Sequence, residues 1–183
     1  MEGTEETMKA VTHFLNYVAT HPDARVRFHK SDMILHLHSD GSHLSERKSR
    51  SRVAGFYWLN GKDNPDPNAP LPKLNGAIHI VSQFLKMVTA SAAETETAGC
   101  FTNGQEACPM RVALEEMGWP QPTTPITTDN SCAEGIINET VKQKRSKAID
   151  MHFYWIRDRV KQGQFRIHWK KGITGKRDQN ICM

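Results

Sequence analysis

The chain has 183 residues, which at roughly 100 to 200 residues per domain gives one domain with a sizeable core, or one domain plus an appendage, and excludes a large multidomain enzyme. Hydrophobic residues at 38% and charged residues at 24% sit near the globular average and exclude wholesale disorder. Lys plus Arg is 24 against 20 Asp plus Glu, a net charge of +4 that is unevenly spread: residues 44–52 and 142–147 are basic, while the first six residues carry three glutamates. A polyanionic partner and a solvated charged face both account for such basic patches.

In chain order, Met8, Val11, Leu15 and Val18 recur at helical spacing behind Thr4 as cap, with Glu5 and Glu6 at the positive end of the helix dipole; this predicts a helix to about Ala19. His21-Pro22-Asp23 breaks it. Alternation over Met33 to Ser39 predicts a strand, Val53 to Leu59 a second, and Asn60-Gly61 a turn. Four prolines between Gly61 and Pro72 predict a loop. Ala77 to Phe84 reads as a third strand, Ala90 to Ala107 as a helix, and Pro109 as the first turn of another helix ending at Gly118. Pro120, Pro122 and Pro125 precede a short strand, Ile126 to Thr128. Two helices, Ser131 to Asn138 and Ser146 to Lys161, and a last strand, Gln164 to Lys170, follow; Ile149, Phe153, Ile156 and Val160 form one stripe on the longer helix. This order implies a mixed sheet with helices on it.

The N-terminus has neither a basic start nor an apolar run, and nowhere do about 18 apolar residues occur together, so the protein is expected to be neither secreted nor membrane-spanning. Cys100, Cys108, Cys132 and Cys182 form no CxxC pair, which argues against a zinc ribbon or a disulfide framework and for reduced thiols of an intracellular protein.

Three acidic positions stand where a strand ends or a helix faces a sheet: Asp40, Glu94 or Glu96, and Asp129. Carboxylates drawn from distant elements are a common way to hold two magnesium ions about 4 Å apart for phosphodiester cleavage. An aspartate at a strand end is also an ordinary turn or cap residue. His36, His38 and Asp40 share one face of a strand and give a second, different reading, a small zinc-binding or interaction module. Asn138-Glu139-Thr140 matches a glycosylation acceptor by chance, given the absence of a secretory signal. Trp155 and Trp169 lie in apolar elements and are expected in the core.

The strings Ser39-Asp40-Gly41-Ser42, Ser91-Ala92-Ala93-Glu94-Thr95-Glu96 and Thr128-Asp129-Asn130-Ser131 resemble the ribonuclease H domain of copia-type retrotransposon polyproteins, the region that follows the reverse transcriptase. Residues 47–59 and 144–160 resemble it too, so the match covers residues 30 to 180 in order. The resemblance implies a ribonuclease H-like α/β fold, a five-stranded mixed sheet flanked by helices, and hydrolysis of the RNA strand of RNA–DNA hybrids with two magnesium ions, for which manganese substitutes. It implies a domain spanning 31–183, shortened at its C-terminus, after an N-terminal helix or connection segment over 1–30. Asp40 would be the first metal ligand and Asp129 the third. Glu94 and Glu96 lie about 200° apart on a helix, so one of them faces the cluster. The resemblance favours Glu96, the later glutamate of the family's repeated Glu-Ala-Glu pattern.

Asp178 fits the fourth carboxylate, although the family's closing segment is replaced here by Gln179-Asn180-Ile181-Cys182-Met183. His168 resembles the histidine that helps product leave some ribonucleases H. Lys144, Arg145 and Lys147 are the expected phosphate contacts, with the hybrid read by backbone shape and 2′-hydroxyls. Gly41 and Thr97 depart from the family's alanine and hydrophobic residue, as in a decaying element copy. A catalytically inactive relic that keeps the fold and binds nucleic acid is therefore the alternative. Other expectations are a reverse transcriptase domain of the parent polyprotein as partner, no membrane, and a cytoplasmic, virus-like-particle or nuclear location.

Overall fold

The computed structural model describes residues 4–62, 74–140 and 150–170. In chain order the elements are α1 (Glu5–Thr20), β1 (Ile34–Glu46), β2 (Arg50–Asn60), β3 (Ala77–Phe84), α2 (Ala92–Glu116), β4 (Thr124–Thr128), α3 (Ser131–Ile137), α4 (Asp150–Lys161) and β5 (Phe165–Trp169). The strands form one five-stranded sheet in the order β3-β2-β1-β4-β5. β1, β2 and β3 are antiparallel neighbours, whereas β4 runs parallel to β1 and β5 parallel to β4.

This mixture follows from the connections. β1 and β2 are joined by a hairpin in which Lys48 (φ 61°) and Ser49 (φ 52°) are both left-handed, the turn geometry whose twist matches paired antiparallel strands. The hairpin is longer than the sequence predicts, because both strands continue into the basic stretch at 44–52. The parallel strands need crossovers, and α2 supplies the first while α3 and α4 lie in the second.

Alternation along β1 sends Leu35 and Leu37 to the helix-covered face. There they form one core with Tyr57, Val81, Ile126, Phe165 and Ile167 of the other strands, Cys100, Ala107 and Leu114 of α2, Ile137 of α3 and Ile156 of α4. Each fully buried Leu or Ile contributes about 1.5–3 kcal/mol, so this layer supplies the main cohesion between sheet and helices. A polar pin crosses it. The buried Asn103 amide of α2 donates to Ser39 Oγ (2.9 Å) and to the Ala54 carbonyl (2.8 Å), while the Tyr57 hydroxyl donates to Asn103 Oδ1 (3.0 Å). These bonds fix the height of α2 against β1 and β2.

The structure corrects four expectations. α2 is one helix of 25 residues that carries Pro109 inside it, not two. Pro109 removes one backbone hydrogen bond, but its i−4 neighbour Gln105 is exposed, and burial of Ala107 and Leu114 on the same core carries the helix through. β4 includes Pro125, which lies opposite Arg166 just before the pairing with β1 begins at Ile126. Trp169 is 44% exposed rather than in the core. Trp155 is only partly buried and packs on the core from its edge. α1 begins at the predicted cap, with Thr4 Oγ1 accepting from Thr7 N at 3.2 Å, and none of its residues is buried.

Candidate active site

Three of the sequence-predicted carboxylates converge. β1 and β4 are parallel neighbours in which Leu37 faces Ile126 and His38 faces Thr127, so continuing the register brings Asp40 level with Asp129, one residue past β4. Glu96 enters from α2 on the helix-covered side. One carboxylate oxygen of each of Asp40, Glu96 and Asp129 lies within 4.8 Å of the others, and this is the group of metal-capable side chains found among the described residues. Asp40 is half-buried, Glu96 buried and Asp129 exposed, so the cluster opens to solvent on the Asp129 side.

Glu96 is held at both oxygens. The backbone N–H of Gly41 donates to Oε1 (2.9 Å), and the Thr128 hydroxyl donates to Oε2 (3.2 Å). The first bond requires close approach of β1 to α2: a Cβ on Gly41 would stand 3.1 Å from the backbone carbon and oxygen of Thr95 and 3.2 Å from the Glu96 nitrogen. Gly41 thus has a packing reason in this chain. Thr97, the other departure from the resembled pattern, is buried with its hydroxyl donating to Ala93 O at 2.8 Å, which satisfies it within its own helix. Glu94 points away and accepts from the Ala90 N–H at 2.6 Å at the start of α2, where Ser91 is the N-cap. Of the two glutamates, the one that faces the cluster is Glu96.

The electrostatics are those of crowded carboxylates, with His38 beside Asp40. Burial, reinforced by Asp40 and Asp129, pushes Glu96 up to about 7 against the pull of its two hydrogen bonds. Burial and then Asp129 also raise Asp40. Burial lowers His38, two residues before Asp40 on the same strand face, although both aspartates pull it the other way. Three carboxylates that repel one another, offering hard oxygen donors in one place, fit a hard divalent cation.

Asp178, Lys144, Arg145 and Lys147 lie outside the described residues. The zinc reading loses its ligand set: His36 Nε2 is bonded to the Gly61 carbonyl (2.9 Å) and its ring packs against Trp58, and neither His36 nor His38 joins the metal-capable group. His168 sits on β5 opposite Thr127. Sequence reasoning missed Gly41 and Thr128 as the clamps on Glu96. It also missed Trp169, whose indole N–H donates to the Asp129 carbonyl (3.0 Å) and steadies the exposed end of the cluster. The Thr-Asp-Asn-Ser string contained Thr128, but nothing local tells which carboxylate its hydroxyl serves.

No family model matches the chain. Over 163 residues, 89% of the chain, the sequence is 23% identical to the retrovirus-related Pol polyprotein from transposon TNT 1-94 of Nicotiana tabacum. The chain spans only 11% of the length of that curated relative. Among solved structures, LC11-RNase H1, isolated from compost by a metagenomic approach, matches with a TM-score of 0.52 at 9% identity, covering 76% of this chain and 85% of that one. The chain has the ribonuclease H-like α/β fold. Together, this fold and the sequence similarity support a ribonuclease H-like domain of a retrotransposon polyprotein. Among the described residues, no helix is long and apolar enough to cross a membrane.

Proposed function

We propose that this chain is a copia-type ribonuclease H that hydrolyses the RNA strand of RNA–DNA hybrids. The observation that carries the reading is the convergence of Asp40, Glu96 and Asp129, from three elements far apart in sequence, on a sheet of this fold. The ligands are Asp40, Glu96 and Asp129, with Asp178 as the fourth. Two magnesium ions, replaceable by manganese, supply when bound the Lewis acidity that stabilises the attacking and leaving oxygens of an in-line displacement.

The chain's own residues set the stage for that chemistry. Gly41 N–H and Thr128 hydroxyl fix both oxygens of Glu96, so its carboxylate is oriented before any ligand arrives. Asp40, on a central strand, is the rigid reference of the site, and Asp129, at the solvent edge, is the first group an incoming phosphodiester meets. Lys144, Arg145 and Lys147 contact backbone phosphates, and selectivity for the hybrid comes from helix shape and 2′-hydroxyls. A reverse transcriptase domain of the parent polyprotein is the natural partner, in a cytoplasmic particle or the nucleus.

The product ends test the mechanism. Attack by water leaves a 5′-phosphate and a 3′-hydroxyl. Attack by the neighbouring 2′-hydroxyl leaves a 2′,3′-cyclic phosphate, and finding that product would exclude two-metal hydrolysis.

A further inference from the structure

The β1–β2 hairpin runs on beyond the carboxylates. Asp40 is opposite Ala54 and Glu46 opposite Arg50, so with β1 bulged between Ser42 and Glu46 the tip lies four β2 residues past the carboxylates, roughly 13 Å at about 3.3 Å per residue. Residues 45–52 hold Arg47, Lys48, Arg50 and Arg52 against one carboxylate, Glu46, a net +3 in a chain whose total is +4. Glu46 is spent on Arg52, at 2.6 Å. Arg47 meets Glu6 of α1 at 3.6 Å, but both side chains are more than 80% exposed, and a solvated pair of this kind exchanges readily for another partner. Arg47, Lys48 and Arg50 therefore present their charge to solvent at the tip.

The tip is carried on a fixed stem. His43 Nδ1 bonds Thr95 Oγ1 at 2.8 Å and Thr95 bonds Thr89 at 2.7 Å, which ties the hairpin to the start of α2, and Leu85 N, just past β3, donates to Ser51 O at 2.9 Å. Further out, the Arg50 and Arg52 guanidinium groups lie over the Phe84 ring, 4.2 and 4.6 Å from its centre. This holds their planes in place while leaving Arg50 open to a ligand. Among the described residues Lys48 and Arg50 meet no carboxylate and Arg47 only the exposed Glu6, and charge at the end of such an arm contributes nothing to the core.

We propose that this hairpin is a second nucleic-acid contact, an arm that grips backbone phosphates about 13 Å from the carboxylate cluster. The inference rests on the proposed function, whose three carboxylates repel a polyanionic substrate; cations beyond their reach offset that repulsion without competing for the metal. At about 3.4 Å per base pair the arm meets the duplex about four base pairs from the scissile position. Its contacts are with phosphates, so they carry no sequence preference.

The test uses the full chain and the triple variant Arg47→Ala, Lys48→Ala, Arg50→Ala, all at exposed tip positions, beside a control with equal charge loss elsewhere, Lys9→Ala, Arg25→Ala, Lys30→Ala. Binding of a fluorescent 20-base-pair RNA–DNA hybrid is measured by anisotropy in EDTA over a KCl series, so that no cutting is involved. The arm variant is expected to bind at least tenfold more weakly at 100 mM KCl, with the log–log salt slope shallower by about 2, while the control stays within about threefold. Equal losses in both triple variants, or wild-type affinity and slope in the arm variant, would overturn the proposal. The same proteins assayed for cleavage separate the two readings: a cutting wild type with an unaffected arm variant removes the arm alone. A wild type that never cuts but loses binding with the arm removes the nuclease and keeps the arm.

Discussion

Thr128 and Glu96, 32 residues apart in sequence and both buried, share a hydrogen bond of 3.2 Å from the threonine hydroxyl to carboxylate Oε2. With Gly41 N–H on the other oxygen, this bond decides which way the most buried carboxylate of the site faces.

Replacing that hydroxyl by a methyl group in Thr128→Val keeps the volume and leaves Oε2 without its donor. A lost bond to a charged group costs about 1.5–3 kcal/mol, so affinity for manganese, read by calorimetric titration, should fall about tenfold or more. Thr128→Ser should restore it to within about threefold. Equal affinity in all three proteins would show that Thr128 merely fills space.

Glu96 also sets a pH dependence of stability in the metal-free protein. Its pKa in the folded state, about 7, lies above its ordinary value of 4.5, so between those values the folded chain holds a proton that the unfolded chain has released. Its stabilising contribution is full below about pH 4.5 and is lost as pH rises through 7. At about 1.4 kcal/mol per unit the loss is a few kcal/mol at most. Denaturant unfolding in EDTA should give a less stable protein at pH 8 than at pH 5.5. Glu96→Gln should flatten that slope and raise stability at pH 8 by about 1–3 kcal/mol. A slope unchanged in the variant would remove Glu96 as its source.

Metal binding should show the mirror image. A cation displaces the proton from Glu96 and the shifted Asp40, so apparent affinity should climb between pH 6 and 7 and level off above 8. The check is manganese titration across that range, with proton release followed in weakly buffered solution. A flat profile contradicts the shared site.

Gly55 tests the polar pin beneath the site. A Cβ there would run into the Asn103 amide, 2.9 Å from its Cγ, and that amide is locked by bonds to β1 and β2. Gly55→Ala should cost about 1–3 kcal/mol, seen as a Tm lower by several degrees, with no change in the isolated charge properties of the carboxylates.

Much of this was legible before any coordinates. Alternation in residues 33–39 gave a strand with Asp40 at its far side, and the roughly 200° between Glu94 and Glu96 meant that one alone could serve. Pro109 misled, since a proline reads as a boundary unless one knows that burial of Ala107 and Leu114 on either side of it holds the helix together. The basic stretch at 44–52 has no apolar periodicity to declare it a hairpin, and its strand character comes from pairing with a partner already half placed. Gly41 and Thr128 were invisible as clamps for a plainer reason: a hydrogen bond between distant segments leaves no pattern in either one.

Cleavage of an end-labelled RNA–DNA hybrid, with magnesium and then manganese, tests the central claim most directly, beside single-stranded RNA and Asp40→Asn as controls. The account predicts metal-dependent cutting of the hybrid's RNA strand alone, abolished in Asp40→Asn while hybrid binding persists. Folded wild-type protein that binds the hybrid and never cuts it, in either metal, would contradict it.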